Sequence, residues 1–318
     1  MAQSLFMVLK RQFPSLAIDV LAPAWSRPIL ERMPEVRKAV EMPLGHGALQ
    51  LATRYRLGKS LRNEAYDWAI VLPNSFKSAL IPFWARIPRR TGFTGEQRYG
   101  LLNDRRTLDK QLLTQTVQRF VVLGLELADT SVPECPDPVL SVDNEQAKAT
   151  ADKFHIALQR PMIALAPGAE YGPAKRWPAS YFAETAISLE QQGYQIMILG
   201  SEKDREPSQM IAANSSAIDL AGKTSLGEVV DLLSLAKVTI TNDSGLMHVA
   251  AAAGSAVVAI YGSSDPSFTP PMTRDARILS LGLECSPCFK RDCPLGHTAC
   301  LMDLKPDRIL RAVEELTA

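Results

Sequence analysis

The chain has 318 residues, of which 46% are hydrophobic and 22% charged, a soluble globular composition long enough for two domains. A formal net charge of +1 excludes an overall field for nucleic acid or an acidic membrane. The longest nearly apolar stretch, residues 249–261, is too short to span a bilayer and is broken by Gly254 and Ser255; the apolar start has Lys10 and Arg11 after the run, where a secretory signal has its charges before it. A cytoplasmic protein is predicted.

Residues 2–13 read as a helix with Leu5, Phe6 and Leu9 on one face. No strand precedes it, although in a parallel α/β unit a helix crosses over from a strand. Residues 16–21 read as a strand ending in Ala22-Pro23-Ala24-Trp25. Residues 68–72 form another, which runs into Pro73-Asn74-Ser75-Phe76-Lys77-Ser78 and a helix; residues 89–93 are a short third. Pro133, Pro136 and Pro138 mark a boundary, so domains are predicted over 1–140 and 141–318.

Past the boundary, a helical pattern at 144–157 leads into clear α/β alternation. Strands are predicted at 162–166, 194–199, 238–241 and 257–261, with a helix over 178–192 that has Pro at its first turn and Gly193 at its end. Short runs, apolar on both faces and separated by helices, are how buried parallel strands read. Their polar, Gly-bearing ends converge on one edge if the fold is doubly wound, and ligands bind at such edges.

The most informative of these ends is Asp243-Ser244-Gly245. A β-branched run turns there into an Ala-rich helix, leaving free backbone N–H groups and a positive dipole end for a phosphate. The plain alternative is a helix capped by Asp243 or Ser244. Near the end of the chain, Cys285, Cys288, Cys293 and Cys300 enclose His297 in one short loop. Four thiols can hold a structural zinc ion, but the spacing is not that of a standard finger; reduced or switchable thiols and a disulfide are the other readings.

Several motifs resemble the ADP-heptose:lipopolysaccharide heptosyltransferases of glycosyltransferase family 9, on the side of those that add the second heptose. In the first half they are Asp19-Val20-Leu21-Ala22-Pro23-Ala24-Trp25, Met42-Pro43-Leu44-Gly45-His46-Gly47, Leu72-Pro73-Asn74-Ser75-Phe76-Lys77-Ser78-Ala79 and Arg98-Tyr99-Gly100-Leu101-Leu102-Asn103-Asp104. In the second half they are Pro167-Gly168-Ala169-Glu170, Gly172-Pro173-Ala174-Lys175-Arg176-Trp177-Pro178 and Thr241-Asn242-Asp243-Ser244-Gly245-Leu246-Met247-His248.

The resemblance implies a GT-B architecture, with two Rossmann-like domains facing across a cleft. The implied reaction is inverting transfer of L-glycero-D-manno-heptose from ADP-heptose to the first heptose of the lipopolysaccharide inner core. The enzyme would work peripherally at the inner membrane of a Gram-negative bacterium, on a lipid A–Kdo–heptose acceptor, with no metal or other cofactor in catalysis and no nucleic-acid partner.

For the donor, the implied diphosphate contacts are Lys175 and the N–H groups of Ser244, Gly245 and Leu246. Asp243 is expected to cap the helix and orient the sugar. His248, one turn in, either faces the same site or is a packed core histidine. Glu202 or Asp204 is expected on the ribose hydroxyls.

For the acceptor, Asn74, Ser75 and Lys77 end an N-terminal strand at the cleft. Lys77 would pair with a phosphate or Kdo carboxylate, and Arg98 is a second cation for that role. Arg86, Arg89 and Arg90 make either a solvated rim or a docking cluster. Family members have a strand and a loop with an aspartate, the implied general base, before the helix that starts here at Ala2. That aspartate is expected ahead of Met1, in a segment of roughly 10–15 residues. The alternative function is therefore a nucleotide-sugar-binding protein impaired in catalysis. A zinc-dependent nucleic-acid module is disfavoured by the near-neutral charge, and no P-loop occurs.

Overall fold

The computed structural model describes residues 1–45, 47–126 and 131–318; His46 of the Met42–Gly47 motif lies outside the described residues. The chain forms two compact units. One holds residues 1–27 and 35–136, the other residues 28–34 and 137–318.

The strands, in chain order, are β1 (Ile18–Ala22), β2 (Val36–Glu41), β3 (Trp68–Ile70), β4 (Arg89–Phe93), β5 (Asp104–Arg106), β6 (Met162–Ala166), β7 (Gln195–Ile198), β8 (Ile218–Asp219), β9 (Val238–Asn242), β10 (Ala256–Ile260) and β11 (Ala276–Leu279). The second unit carries one parallel sheet in the order β11-β10-β9-β6-β7-β8. The first carries two parallel sheets, β1-β2 and β3-β4-β5.

Alternation along the strands explains the core of the second unit. Ile163, Leu165, Ile196, Ile198, Ile240, Val258 and Ile260 pack on one face with Phe182 and Leu189 of the helix Ala179–Gln191 and with Ile309 and Val313 of the helix Pro306–Thr317. Met162, Ala164, Met197, Leu199, Val257 and Ala259 pack on the other with Leu232, Leu233, Met247 and Ala250. Successive side chains point to opposite faces, so a sheet covered by helices on both sides needs runs with no polar alternation.

In the first unit the helix Ala2–Gln12 packs against the helix Thr116–Val122. Segment 28–34 joins the second unit, where Arg32 donates to Asp231 at 2.6 Å and to the Gly227 carbonyl. Among the described residues no helix is long and apolar enough to cross a membrane.

Candidate functional site

The strand order of the second unit reverses at one place. From β6 the chain winds outward through β7 and β8; from β9 it winds the other way through β10 and β11. A ligand crevice in an open α/β sheet forms at the carboxyl ends of the two strands flanking such a reversal. Ala166 pairs with Thr241, so β6 and β9 end at the same level. The loop after β6 delivers Lys175 to this point and the turn after β9 delivers Asp243. The Lys175 Nζ lies 2.5 Å from Asp243 Oδ2, and the ammonium also stands over the Tyr171 ring.

Asn242, fully buried at the end of β9, holds the loop in place. Its amide donates to the Pro167 carbonyl at 2.7 Å, and its oxygen accepts the Trp177 N–H at 3.0 Å. Both ends of segment 167–177 are thus tied to one side chain. The Trp177 indole, 2% exposed, donates to the Leu304 carbonyl. The aromatic residue anchors the loop while Lys175 keeps 18% of its side chain open.

The helix Gly245–Ala253 starts beside this pair and is closed by Gly254 at φ 92 in the left-handed region. Ser244 occupies the N-cap position but makes no side-chain cap bond. The expectation that Asp243 caps the helix is overturned: its carboxylate is engaged by a lysine 68 positions earlier in the chain. The first-turn N–H groups of Gly245 and Leu246 are left without a capping side chain, and space over the Gly245 Cα is open. His248 is half-buried, its Nδ1 has no partner, and burial lowers its pKa to about 4. It is neutral near pH 7.

The structure separates the two acids proposed for the ribose. Asp204 is buried and its carboxylate accepts from both the N–H and the hydroxyl of Ser201, at 2.9 and 2.7 Å. A Cβ on Gly168 would lie 2.6 Å from that carboxylate, so the loops after β6 and β7 meet there only through glycine. Asp204 is therefore a fastener between two loops. Glu202 is exposed and pairs with its helical neighbour Arg205 at 2.8 Å; an exposed pair of this kind is cheap to exchange for a ligand, whereas Asp204 is committed to Ser201.

The acceptor-side residues belong to the first unit. Ser75 is the N-cap of the helix Phe76–Trp84, Asn74 is exposed and Lys77 half-buried. Arg98 does not present its charge. It is 2% exposed, and its guanidinium donates to the carbonyls of Pro73 and Phe93, to Asn74 Oδ1 and to Ser78 Oγ. Burial lowers its pKa, yet it stays charged because it gathers so many oxygens. The expectation that Arg98 binds the acceptor gives way to a positioning role against Pro73, Asn74 and Ser78. Arg54 does the same from below, donating to the carbonyls of Ala48, Leu49 and Lys77. Two of the three arginines of the basic cluster are engaged within the fold, Arg89 by Asp104 and Arg90 by the carbonyls of Leu101 and Ile87, while Arg86 is exposed. Asn242 and Arg54 received no role from the sequence; the only signal was a polar residue closing an apolar strand in one case and none in the other.

The cysteine loop adjoins this site. Ala174 N–H donates to the Arg291 carbonyl, Tyr171 hydroxyl to the Phe289 carbonyl, Phe289 N–H to the Ser263 carbonyl and Ser286 hydroxyl to the Gly262 carbonyl. No disulfide forms among the five cysteines.

Residues 54–299 match the family model for glycosyltransferase family 9 (heptosyltransferase). The chain is 46% identical to lipopolysaccharide heptosyltransferase 2 of Escherichia coli K12, with 100% of this chain and 94% of that protein covered. It is 47% identical to the Salmonella typhimurium protein of the same name, covering 99% and 94%. Among solved structures, E. coli ADP-heptose LPS heptosyltransferase II superposes with a TM-score of 0.88 at 43% identity, over 99% of this chain and 93% of that one. The α/β units with parallel sheets are those of the GT-B class. The chain belongs to glycosyltransferase family 9.

Proposed function

We propose that this family 9 enzyme transfers heptose from ADP-heptose to the first heptose of the lipopolysaccharide inner core, with inversion at the anomeric carbon. The observation that carries the reading is the Lys175–Asp243 pair at the sheet's reversal point, beside a helix start that has no capping side chain. It is supported by the identity to lipopolysaccharide heptosyltransferase 2 along the whole chain.

The acceptor hydroxyl attacks the anomeric carbon and gives up its proton to a base or to water as the carbon–oxygen bond to the diphosphate breaks, and ADP leaves with the extra negative charge. Lys175 has three N–H donors; Asp243 takes one and leaves the others for phosphate oxygens. A donor aimed at charge that grows in the transition state accelerates the step, because it costs no reorganisation when the bond breaks. Asp243 holds the ammonium in place. The N–H groups at Gly245 and Leu246 supply fixed dipoles to the same oxygens, Glu202 takes the ribose hydroxyls, and His248 contributes an uncharged ring beside the sugar. Asn74, Ser75 and Lys77 meet the acceptor, whose anionic inner core the lysine complements. Work at the cytoplasmic face of the inner membrane follows from that lipid-linked acceptor.

The test is ADP release and product formation with ADP-heptose and a heptosyl-Kdo2-lipid A acceptor, with donor binding measured by calorimetry in parallel. Transfer to that acceptor supports the reading. Donor binding without transfer to any inner-core acceptor favours a nucleotide-sugar-binding protein instead, and absence of donor binding overturns both.

A further inference from the structure

Two helices of the first unit carry a surface that the transfer chemistry does not use. Residues 51–90 hold eight lysines and arginines against two acids, Glu64 and Asp67, in a chain whose formal net charge is only +1. Basic charge is therefore concentrated in this stretch, and Glu64 is taken by Lys38 at 2.9 Å. Among the described residues Arg56, Lys59 and Arg86 are exposed and make no ion pair; Arg56 reaches the Ala52 carbonyl of its own helix.

The same stretch exposes apolar bulk. In the helix Leu51–Ser60, Leu51 and Tyr55 stand four residues apart on one ridge, 49% and 45% exposed, and Phe83 near the end of the helix Phe76–Trp84 is 40% exposed. The Tyr55 ring meets the half-buried Trp84 edge-on with 5.6 Å between centroids, so the two helices join their aromatic residues in one patch. Cations frame it: the Arg90 guanidinium lies 5.7 Å from the Phe83 ring centre, and Arg62 donates to the Trp84 carbonyl at 2.8 Å. A Cβ on Gly58 would lie 2.8 Å from Trp84 Cβ and 2.9 Å from the Ile81 carbonyl oxygen. The helices thus meet too closely for any side chain between them, and the patch is preformed before anything binds.

Rings and aliphatic side chains rimmed by lysine and arginine suit the boundary between the headgroups and acyl chains of an anionic bilayer, where the apolar parts leave water and the charges stay at the phosphates. A second copy is a poorer occupant, because it would set one basic surface against another. We propose that the surface formed by Leu51, Tyr55, Lys59, Phe83, Trp84 and Arg86 docks the protein on an anionic lipid bilayer, with its rings at headgroup level and its cations on lipid phosphates. The inference rests on the reading of a lipid-linked acceptor for its purpose, though not for its test. The helix that starts beside Ser75 and carries Lys77 ends at Phe83 and Trp84, nine residues on, so about 13 Å of one rigid rod separates the docking patch from the acceptor residues.

The test is flotation of the full chain with vesicles that contain no acceptor. Vesicles of phosphatidylethanolamine and phosphatidylglycerol are compared with vesicles of phosphatidylcholine alone, at low and at physiological salt. Binding to the anionic vesicles is expected, weakening as salt rises. Lys59→Glu with Arg86→Glu should lower the bound fraction about ten-fold or more, and Tyr55→Ser with Phe83→Ser should lower it on the same vesicles. Arg308→Glu with Arg311→Glu, the same charge change on an exposed helix face of the second unit, should leave it unchanged. Should the aromatic variant fail to fold, the Lys59 and Arg86 variant, altered only at exposed positions, decides alone. The proposal is overturned if the unaltered chain binds neither vesicle or both equally, if the Lys59 and Arg86 variant binds as well as the unaltered chain, or if the Arg308 and Arg311 variant loses as much. A chain that docks on anionic vesicles yet transfers no heptose would leave this surface standing and sink the assigned reaction instead.

Discussion

The two units solve the same problem with opposite means. In the second, one continuous parallel sheet runs through strands that are almost wholly buried, and its fully buried charged groups are carboxylates: Asp204, Asp231 and Asp243. In the first, two smaller sheets are half-exposed, and the buried charged groups are guanidiniums: Arg54, Arg98 and Arg106. Burial on both faces of a sheet leaves backbone groups satisfied by neighbouring strands. Where strands are short, loop carbonyls need other donors, and arginine's forked head supplies several at once. The first unit is fastened by polar clamps, the second by apolar packing.

The sharpest test of this contrast is truncation of a matched pair of isoleucines. Ile240, fully buried in β9, changed to alanine should cost about 2–5 kcal/mol. Ile70 in β3, only half-buried, should cost clearly less. Urea unfolding of both variants decides it, and equal losses would break the comparison.

Next in size is the division of chemistry between the units. Lys175→Ala should lower kcat/KM by about 10²-fold or more and also lower the melting temperature, because it leaves the buried Asp243 carboxylate without its cation; Lys77→Ala should raise the acceptor KM with a smaller loss in kcat. Initial-rate kinetics with donor and acceptor varied in turn would show it, and a donor-side defect from Lys77→Ala would contradict it.

The smallest effect is on acid stability, and it also separates the units. Burial opposes ionisation of Asp104, but hydrogen bonds from Arg106, Thr91 and Arg89 win and hold its pKa down to about 2, against a usual 3.8. Its folded form binds fewer protons than its unfolded form, so its stabilisation is complete above 3.8 and is lost as pH falls towards 2. His248 in the second unit, lowered by burial from 6.5 to about 4, opposes folding progressively as pH falls through that higher window. His248→Gln should flatten the stability profile between pH 6.5 and 4, and Asp104→Asn only below it. Denaturation midpoints across pH read both slopes.

The same contrast governs what could be read from the sequence. β6, β9 and β10 were legible because strands buried on both faces leave uninterrupted apolar runs, and the Asp243-Ser244-Gly245 turn was legible because it follows one. β2, whose sequence is Val-Arg-Lys-Ala-Val-Glu, and β5, Asp-Arg-Arg, carry charges that read as loop. The fate of Arg98 was invisible, since the carbonyls that bury it come from residues 73 and 93 and meet only in the folded unit. Asp243 looked like a cap because local sequence offers a helix start; the lysine that claims it is distant in sequence.

Segment 28–34 carries a last consequence, for anyone who would divide the protein. It lies early in the chain yet belongs to the later unit, where Arg32 neutralises the buried Asp231. A cut at Pro136 therefore does not yield two independent pieces. The fragment 137–318 keeps the Thr150 hydroxyl on Asp231 but loses its cation, and a synthetic strip spanning 28–34, added in trans, is what should restore it.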